Sequence, residues 1–155
     1  MAKTIGNRNL YATTRQWLCS ELYGQDVVVC EISALECLGL FCGYLSESII
    51  DVYALSTGSV SGINYNVVDS FDEMDIIDID GLRCTSFNQT VNDILAKIDE
   101  IDEQPLVEAL NEYYFSNQQS FDGLSIAPGN QAAFESLKDW IFEYYNGGTL
   151  NDRQG

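Results

Sequence analysis

At 155 residues and 46% hydrophobic content, the chain is long enough for one domain with a substantial core and too apolar to be disordered. Seven Lys and Arg stand against 24 Asp and Glu, a formal net charge of −17, and this field repels phosphate backbones and argues against direct nucleic-acid binding. No apolar run approaches the ~20 residues a membrane span needs, and "MAKTIGNRNLY" lacks the apolar core of a secretory signal, so a cytoplasmic protein is expected.

In chain order, residues 1–7 are expected as a loose tail. From about Arg8 to Leu22, the spacing of Leu10, Thr14, Trp17, Leu18 and Leu22 predicts an amphipathic helix that Gly24 ends. "DVVVCEI" is a short β-branched run and predicts a strand. In "SALECLGL", Ser33 and Glu36 have the spacing of a capping box, with Gly39 as the stop of a helix of about two turns. "SIIDVYAL", "INYNVVDS" and "DEMDIIDID" follow as candidate strands, and Gly81 turns the chain into a fourth, "LRCTS". Short links between strands point to an antiparallel sheet rather than βαβ crossovers.

The last third is predicted helical. Ser86 and Gln89 repeat the capping-box spacing, ahead of Val91, Ile94, Leu95 and Ile98 on one face. "DEQPLVEALNEYYF" begins with acids and Pro105, both suited to a first turn, and carries Leu106, Leu110, Tyr113 and Tyr114 as its apolar stripe. A final helix places Phe134, Leu137, Ile141 and Tyr145 together, with Gly147 beyond its end and 149–155 as a mobile tail. The sum is a single α+β domain over 1–155, with a mainly antiparallel sheet and a helical C-terminal half.

With no histidine in the chain, Ser-His and Cys-His nucleophile pairs and most zinc sites are excluded. Cys19, Cys30, Cys37, Cys42 and Cys84 show no C-x-x-C spacing and lie mostly among apolar neighbours, as buried free cysteines do. Asp69, Asp72, Glu73, Asp75, Asp78 and Asp80 crowd one segment. Strand alternation would put Asp78 and Asp80 on one face, where they could share Mg²⁺ or Ca²⁺. Their spacing matches no calcium loop, and a solvated, charge-protected sheet edge is the simpler reading. The aromatics Tyr113, Tyr114, Trp140, Phe142, Tyr144 and Tyr145 suit core packing, yet Phe142 and Tyr144 fall off the stripe of Ile141 and Tyr145. Tyr113, Tyr114, Phe142 and Tyr144 are therefore the candidates for partner contact.

"ISALECLGLFCGYLSESIIDVYAL", and "LRCTSFNQTVNDIL" followed by "EQPLVEALNEYYF", resemble segments of the antitoxin domain of AbiEi-type proteins, over roughly residues 30–125. The matching positions are Ser33, Leu35, Gly39, Arg83, Ser86, Thr90 and Asp93. Gln89 stands where that family often has Arg, and the winged helix-turn-helix that usually precedes the domain has no counterpart in the roughly 25 residues before the match. The resemblance implies a non-enzymatic, antitoxin-like protein-binding domain that neutralises a nucleotidyltransferase-like toxin or serves in phage defence, with no cofactor. It also implies that Thr90 and Asp93 hold a helix start against the sheet. Two alternatives of other classes are a metal-dependent enzyme built on the 69–80 carboxylates and an acidic mimic of nucleic acid.

Overall fold

The computed structural model describes residues 3–41 and 49–145. Its elements in chain order are α1 (Thr14–Glu21), β1 (Val27–Val29), α2 (Glu31–Cys37), β2 (Ile50–Ala54), β3 (Ile63–Val67), β4 (Ile76–Ile79), β5 (Leu82–Thr85), α3 (Phe87–Leu95), α4 (Gln104–Ser116) and α5 (Gln131–Tyr145). The class is α+β, and every strand segment expected from the sequence is present. Helices occur in both halves of the chain, not only in the C-terminal one.

The strand order is β3-β2-β1-β5-β4. Pairs β1–β2 and β4–β5 are antiparallel, whereas β1–β5 and β2–β3 are parallel. The sheet is therefore mixed, and the expectation of a mainly antiparallel one is corrected. Its cause is the 55–62 link, which is short yet joins parallel neighbours in the register Ile50↔Ile63 to Ala54↔Val67. A strand of this length spans ~17 Å, and eight extended residues reach up to ~26 Å, so the chain returns without a helix. The returning segment is held by the Ser61 amide donating to Lys3 O and the Ile5 amide donating to Ser61 O (3.0 Å). Residues 3–7, expected as a loose tail, are thereby tied to the fold. Ile5 packs on the core, and Trp17 Nε1 donates to Gly6 O at 2.9 Å.

Between β4 and β5 the reversal is a two-residue hairpin. Asp80 (φ 54°) and Gly81 (φ 86°) both take the left-handed conformation, which a type I′ turn demands and an Asp-Gly pair supplies. Asp78 Oδ1 accepts from the Gly81 amide at 2.9 Å. Asp78 and Asp80 thus build the turn and do not form a paired ligand set on one strand face. β4 lies at the sheet edge, where the exposed Asp78 discourages further strand pairing.

Two cores meet at α2. Ala34 and Cys37 join Trp17, Leu18, Val29, Val52 and Cys84 on one sheet face, while Leu35 joins Val91, Ile94, Leu106, Leu110, Leu137 and Ile141 among the helices. The seven-residue helix therefore buries two faces, which explains why Ser33, Ala34, Leu35 and Cys37 are all buried. Ser33 does not cap it. Cys30 is the N-cap, without a side-chain bond, and the Ser33 hydroxyl accepts from the Asp51 amide at 2.8 Å. The Glu36 carboxylate is largely covered and pairs with Arg8. At the other end the Leu40 amide donates to Leu35 O and the Gly39 amide to Glu36 O, both at 3.0 Å, with Gly39 at φ 78°. This is the Schellman arrangement, and Gly39 stops the helix as expected.

The expected helix over 8–22 is shorter than its pattern. A 3₁₀ turn at Arg8–Leu10 precedes α1, and Thr13 caps α1 by accepting from the Gln16 amide. Leu10 falls outside and is exposed, while Trp17, Leu18 and Leu22 are buried as expected. In the C-terminal half, Pro105 opens α4 as expected, but the acids lie just before its first turn. Phe134, Leu137 and Ile141 are buried on α5, while the Tyr145 side chain, Gly147 and the 149–155 tail lie outside the described residues.

Candidate functional site

Two features gather polar groups. The first lies where β1 and β5 end and α2 and α3 begin. Ser86 is the N-cap of α3, accepting from the Gln89 amide at 3.1 Å. Gln89 does not reach back to close a capping box. Its Oε1 accepts from the Asp75 amide (3.0 Å), and its Nε2 donates to Asp93 Oδ1 (2.9 Å). Thr90 is fully buried, donating to Ser86 O at 2.7 Å with its oxygen 2.7 Å from Thr85 Oγ1. These bonds fasten the start of α3 to the end of β5.

Gln89, Asp93 and Lys97 follow one another at four-residue spacing and face Cys30, Glu31, Asp51 and Tyr53. Glu31 enters α2 in the left-handed conformation (φ 53°), a costly choice for a side chain with a Cβ. Its carboxylate is buried and meets Lys97 Nζ at 2.6 Å. Asp51 accepts from Asn64 Nδ2 at 3.1 Å. Burial raises the pKa of Asp51, against the pull of Asn64. Burial likewise raises Asp93, outweighing the hydrogen bond from Gln89 and the nearby Tyr53 hydroxyl. Tyr53 is pushed up by burial and by the facing Asp93. Burial opposes the charge on Lys97, but the Glu31 carboxylate more than offsets it and leaves Lys97 raised. Among the described residues, no group of three or more His, Cys, Asp or Glu is arranged to hold a metal ion.

The second feature is a cleft of about 1250 Å³ between α1, the end of α2, the β4–β5 hairpin and α4. Among the described residues, Glu36 (itself paired with Arg8), Asp80, Glu108 and Glu112 line it against one lining cation, Arg15. Arg15 is engaged: its Nε donates to Cys37 O at 2.7 Å, capping the end of α2. Leu40 and Phe41 supply apolar wall, and Tyr23, 89% exposed, stands at the rim. Pockets for drug-sized ligands run to roughly 1,000 Å³, so this cleft has room for a stretch of polypeptide. Its sign is negative and its shape concave.

Of the family-motif positions, only Gly39 touches the cleft. Ser33, Leu35, Ser86, Thr90 and Asp93 are spent on the α2–α3 framework. Arg83 pairs with Asp26 and lies over the Phe71 ring, 5.4 Å from its centroid. The aromatic candidates pack on one another. Tyr113 stacks on Phe87 at 4.7 Å, and its hydroxyl donates to Asp122 O. Tyr114 meets Phe121 at 4.7 Å and Phe142 at 5.0 Å. All three candidates are half-buried and fasten the 117–126 loop between α4 and α5, while the Tyr144 side chain lies outside the described residues. Tyr23 and Glu112 are not singled out by the sequence, and Asp80 is considered there only as a metal ligand. The one signal for Glu112 is its i, i+4 spacing from Glu108 on α4.

No family model matches the sequence, and a search of curated proteins found no match.

Proposed function

We propose that the chain is a non-enzymatic, antitoxin-like binding domain whose acidic cleft holds a basic segment of a partner protein. The observation that carries this reading is the cleft itself, where Asp80, Glu108 and Glu112, with Glu36 ion-paired to Arg8, line a concavity larger than a small-molecule pocket and the one cation among its described lining residues is bonded to the backbone. A partner segment rich in Lys or Arg gains there what it would lose on a neutral surface, and Tyr23 with Phe41 offers apolar contact at the mouth. The resemblance to AbiEi-type antitoxin domains names the partner class, a nucleotidyltransferase-like toxin, and the sequence expectation of a cytoplasmic protein supplies the setting. Among the described residues no helix is long and apolar enough to cross a membrane.

The test compares the tagged chain with an Asp80→Asn/Glu112→Gln variant in capture from the native host at low and high salt. Asn tolerates the left-handed turn position, so the fold survives. Capture of a nucleotidyltransferase-like protein, weakened roughly fivefold in the variant on about 0.5 kcal/mol per charge, is the expected result. Capture that the variant leaves unchanged would remove the cleft from the interface. Recovery of nucleic-acid-binding proteins alone, washed off by salt, would replace this reading with that of a nucleic-acid mimic.

A further inference from the structure

The two edges of the sheet are made differently. β4 carries Asp78, with Asp75 before it and Asp80 after it, so charge guards that edge. β3, at the opposite edge, has no such guard. In a chain with 24 Asp and Glu, the run from Val52 to Val68 contains no charged residue and no proline. Three contacts fix the direction of its backbone groups. Gly62 O accepts from the Ile50 amide and the Val68 amide donates to Ala54 O, both at 2.9 Å, so the even-numbered residues face β2. Ser61 turns the other way, to Lys3 and Ile5. By alternation, Ile63, Tyr65 and Val67 direct their amides and carbonyls away from the sheet. Among the described residues, the Ile63 carbonyl and both backbone groups of Tyr65 and Val67 have no hydrogen-bond partner.

We propose that β3 pairs with β3 of a second copy of the chain, antiparallel across a two-fold axis at Tyr65, joining two five-stranded sheets into one. Length and charge both favour a second copy as the occupant. The open window begins past Ser61, where Thr4 bridges to the edge, and closes at the bend at Asp69. Its length is that of β3, so a copy of β3 fits it end to end. Centred on Tyr65, the two Tyr65 residues bond reciprocally, and each Val67 amide meets the Ile63 carbonyl of the other copy. No carboxylate falls within the paired segments, and each Asp69 stands across from an uncharged Ser61. Most other faces of a chain at −17 would bring like charges together on self-association. Apolar surface is also left over at this edge. Val67 is 53% exposed, Leu55 follows β2 beside it, and Ile49 precedes β2 at the other end, both of these 46% exposed.

A single strand pair buries less than the ~1,200 Å² of a stable complex, so the dimer is weak and reversible. The β4–β5 hairpin that walls the cleft lies at the far end of the strand order. Pairing at β3 therefore leaves the cleft open and gives each dimer two, which strengthens the hold on any partner that presents its segment twice.

The test is sedimentation velocity on the full chain alone, from ~1 μM to ~1 mM protein, at low and high salt. The expected result is a shift from monomer to dimer with concentration, further advanced at high salt because self-repulsion is screened. Val67→Pro removes one outward amide and spares the β2 ladder, which the even-numbered residues make; it should lose the dimer, whereas Val67→Thr, which keeps the amide, should retain it. A monomer at every concentration and both salts would overturn the proposal and leave the edge to a strand from another protein. A dimer that Val67→Pro leaves intact would overturn it too, by placing the contact elsewhere. If Val67→Pro does not fold, amide exchange in the wild type decides. The Tyr65 and Val67 amides should be protected in concentrated protein and lose protection on dilution, and exchange that dilution leaves unchanged would refute the pairing.

Discussion

Asp93→Asn should stabilise the protein and flatten the acid side of its stability profile. In the wild type, Asp93 Oδ1 accepts from Gln89, while Oδ2 is shielded from water and has no partner within hydrogen-bonding geometry. The Tyr53 hydroxyl is a near polar neighbour of this carboxyl. Asparagine keeps the acceptor for Gln89, removes the buried charge, and offers an N–H to the Tyr53 oxygen. An unsatisfied buried polar group costs ~1–3 kcal/mol. The half-exposed setting favours the lower end, so a gain of about 1 kcal/mol is expected, or ~2–4 °C in melting temperature for a domain near this size. The sign with pH follows from the raised carboxyl. The charged form is disfavoured in the folded state, so the penalty is absent below the unfolded value near ~3.9, grows as pH rises, and is complete above the folded pKa. Wild-type stability should therefore fall between about pH 4 and neutrality, and the difference between variant and wild type should widen over that range and then level off. Urea denaturation at a series of pH values reads this directly, and the subtraction cancels the general self-repulsion of a chain at −17. A variant no more stable than wild type at neutral pH, or a difference independent of pH, would refute the reasoning.

Two further changes probe the framework. Lys97→Met leaves the buried Glu31 carboxylate without its ion pair and should cost about 2 kcal/mol, below the range for a fully buried pair because Lys97 is partly exposed; adding Glu31→Gln should recover most of that loss in the same urea titration. Gly81→Ala should cost about 1 kcal/mol in thermal unfolding from the left-handed backbone alone, because an added Cβ would meet no atom within 4 Å.

The elements were more legible than their assembly, and the reason is physical. Local patterns report local choices. The apolar spacing of Val91, Ile94 and Leu95, the Gly39 stop and the Asp-Gly turn each depend on neighbours a few residues away, and each behaves as its pattern implies. Strand pairing does not. Nothing in 55–62 announces that the chain runs back extended to lay β3 parallel to β2, because that outcome depends on Lys3, Ile5 and Ser61 meeting across the sheet. Ser33 failed as a cap for the same kind of reason. Its spacing to Glu36 was right, but tertiary partners claimed both side chains, the Asp51 amide one and Arg8 the other.

The candidate sites are less legible still, since each is assembled from residues that no window contains. The cleft takes Arg15 from α1, Glu36 from α2, Asp80 from a hairpin and Glu112 from α4. In the sequence these are ordinary surface charges in an acidic chain. Reading the cysteines as buried hydrophobes fits Cys30, Cys37 and Cys84. The positions on which the resemblance to antitoxin domains was read report the framework, because capping, core and helix-stop residues are constrained by backbone geometry. The cleft walls are under no such backbone constraint, so the proposed binding is to be tested at residues that those positions pass over.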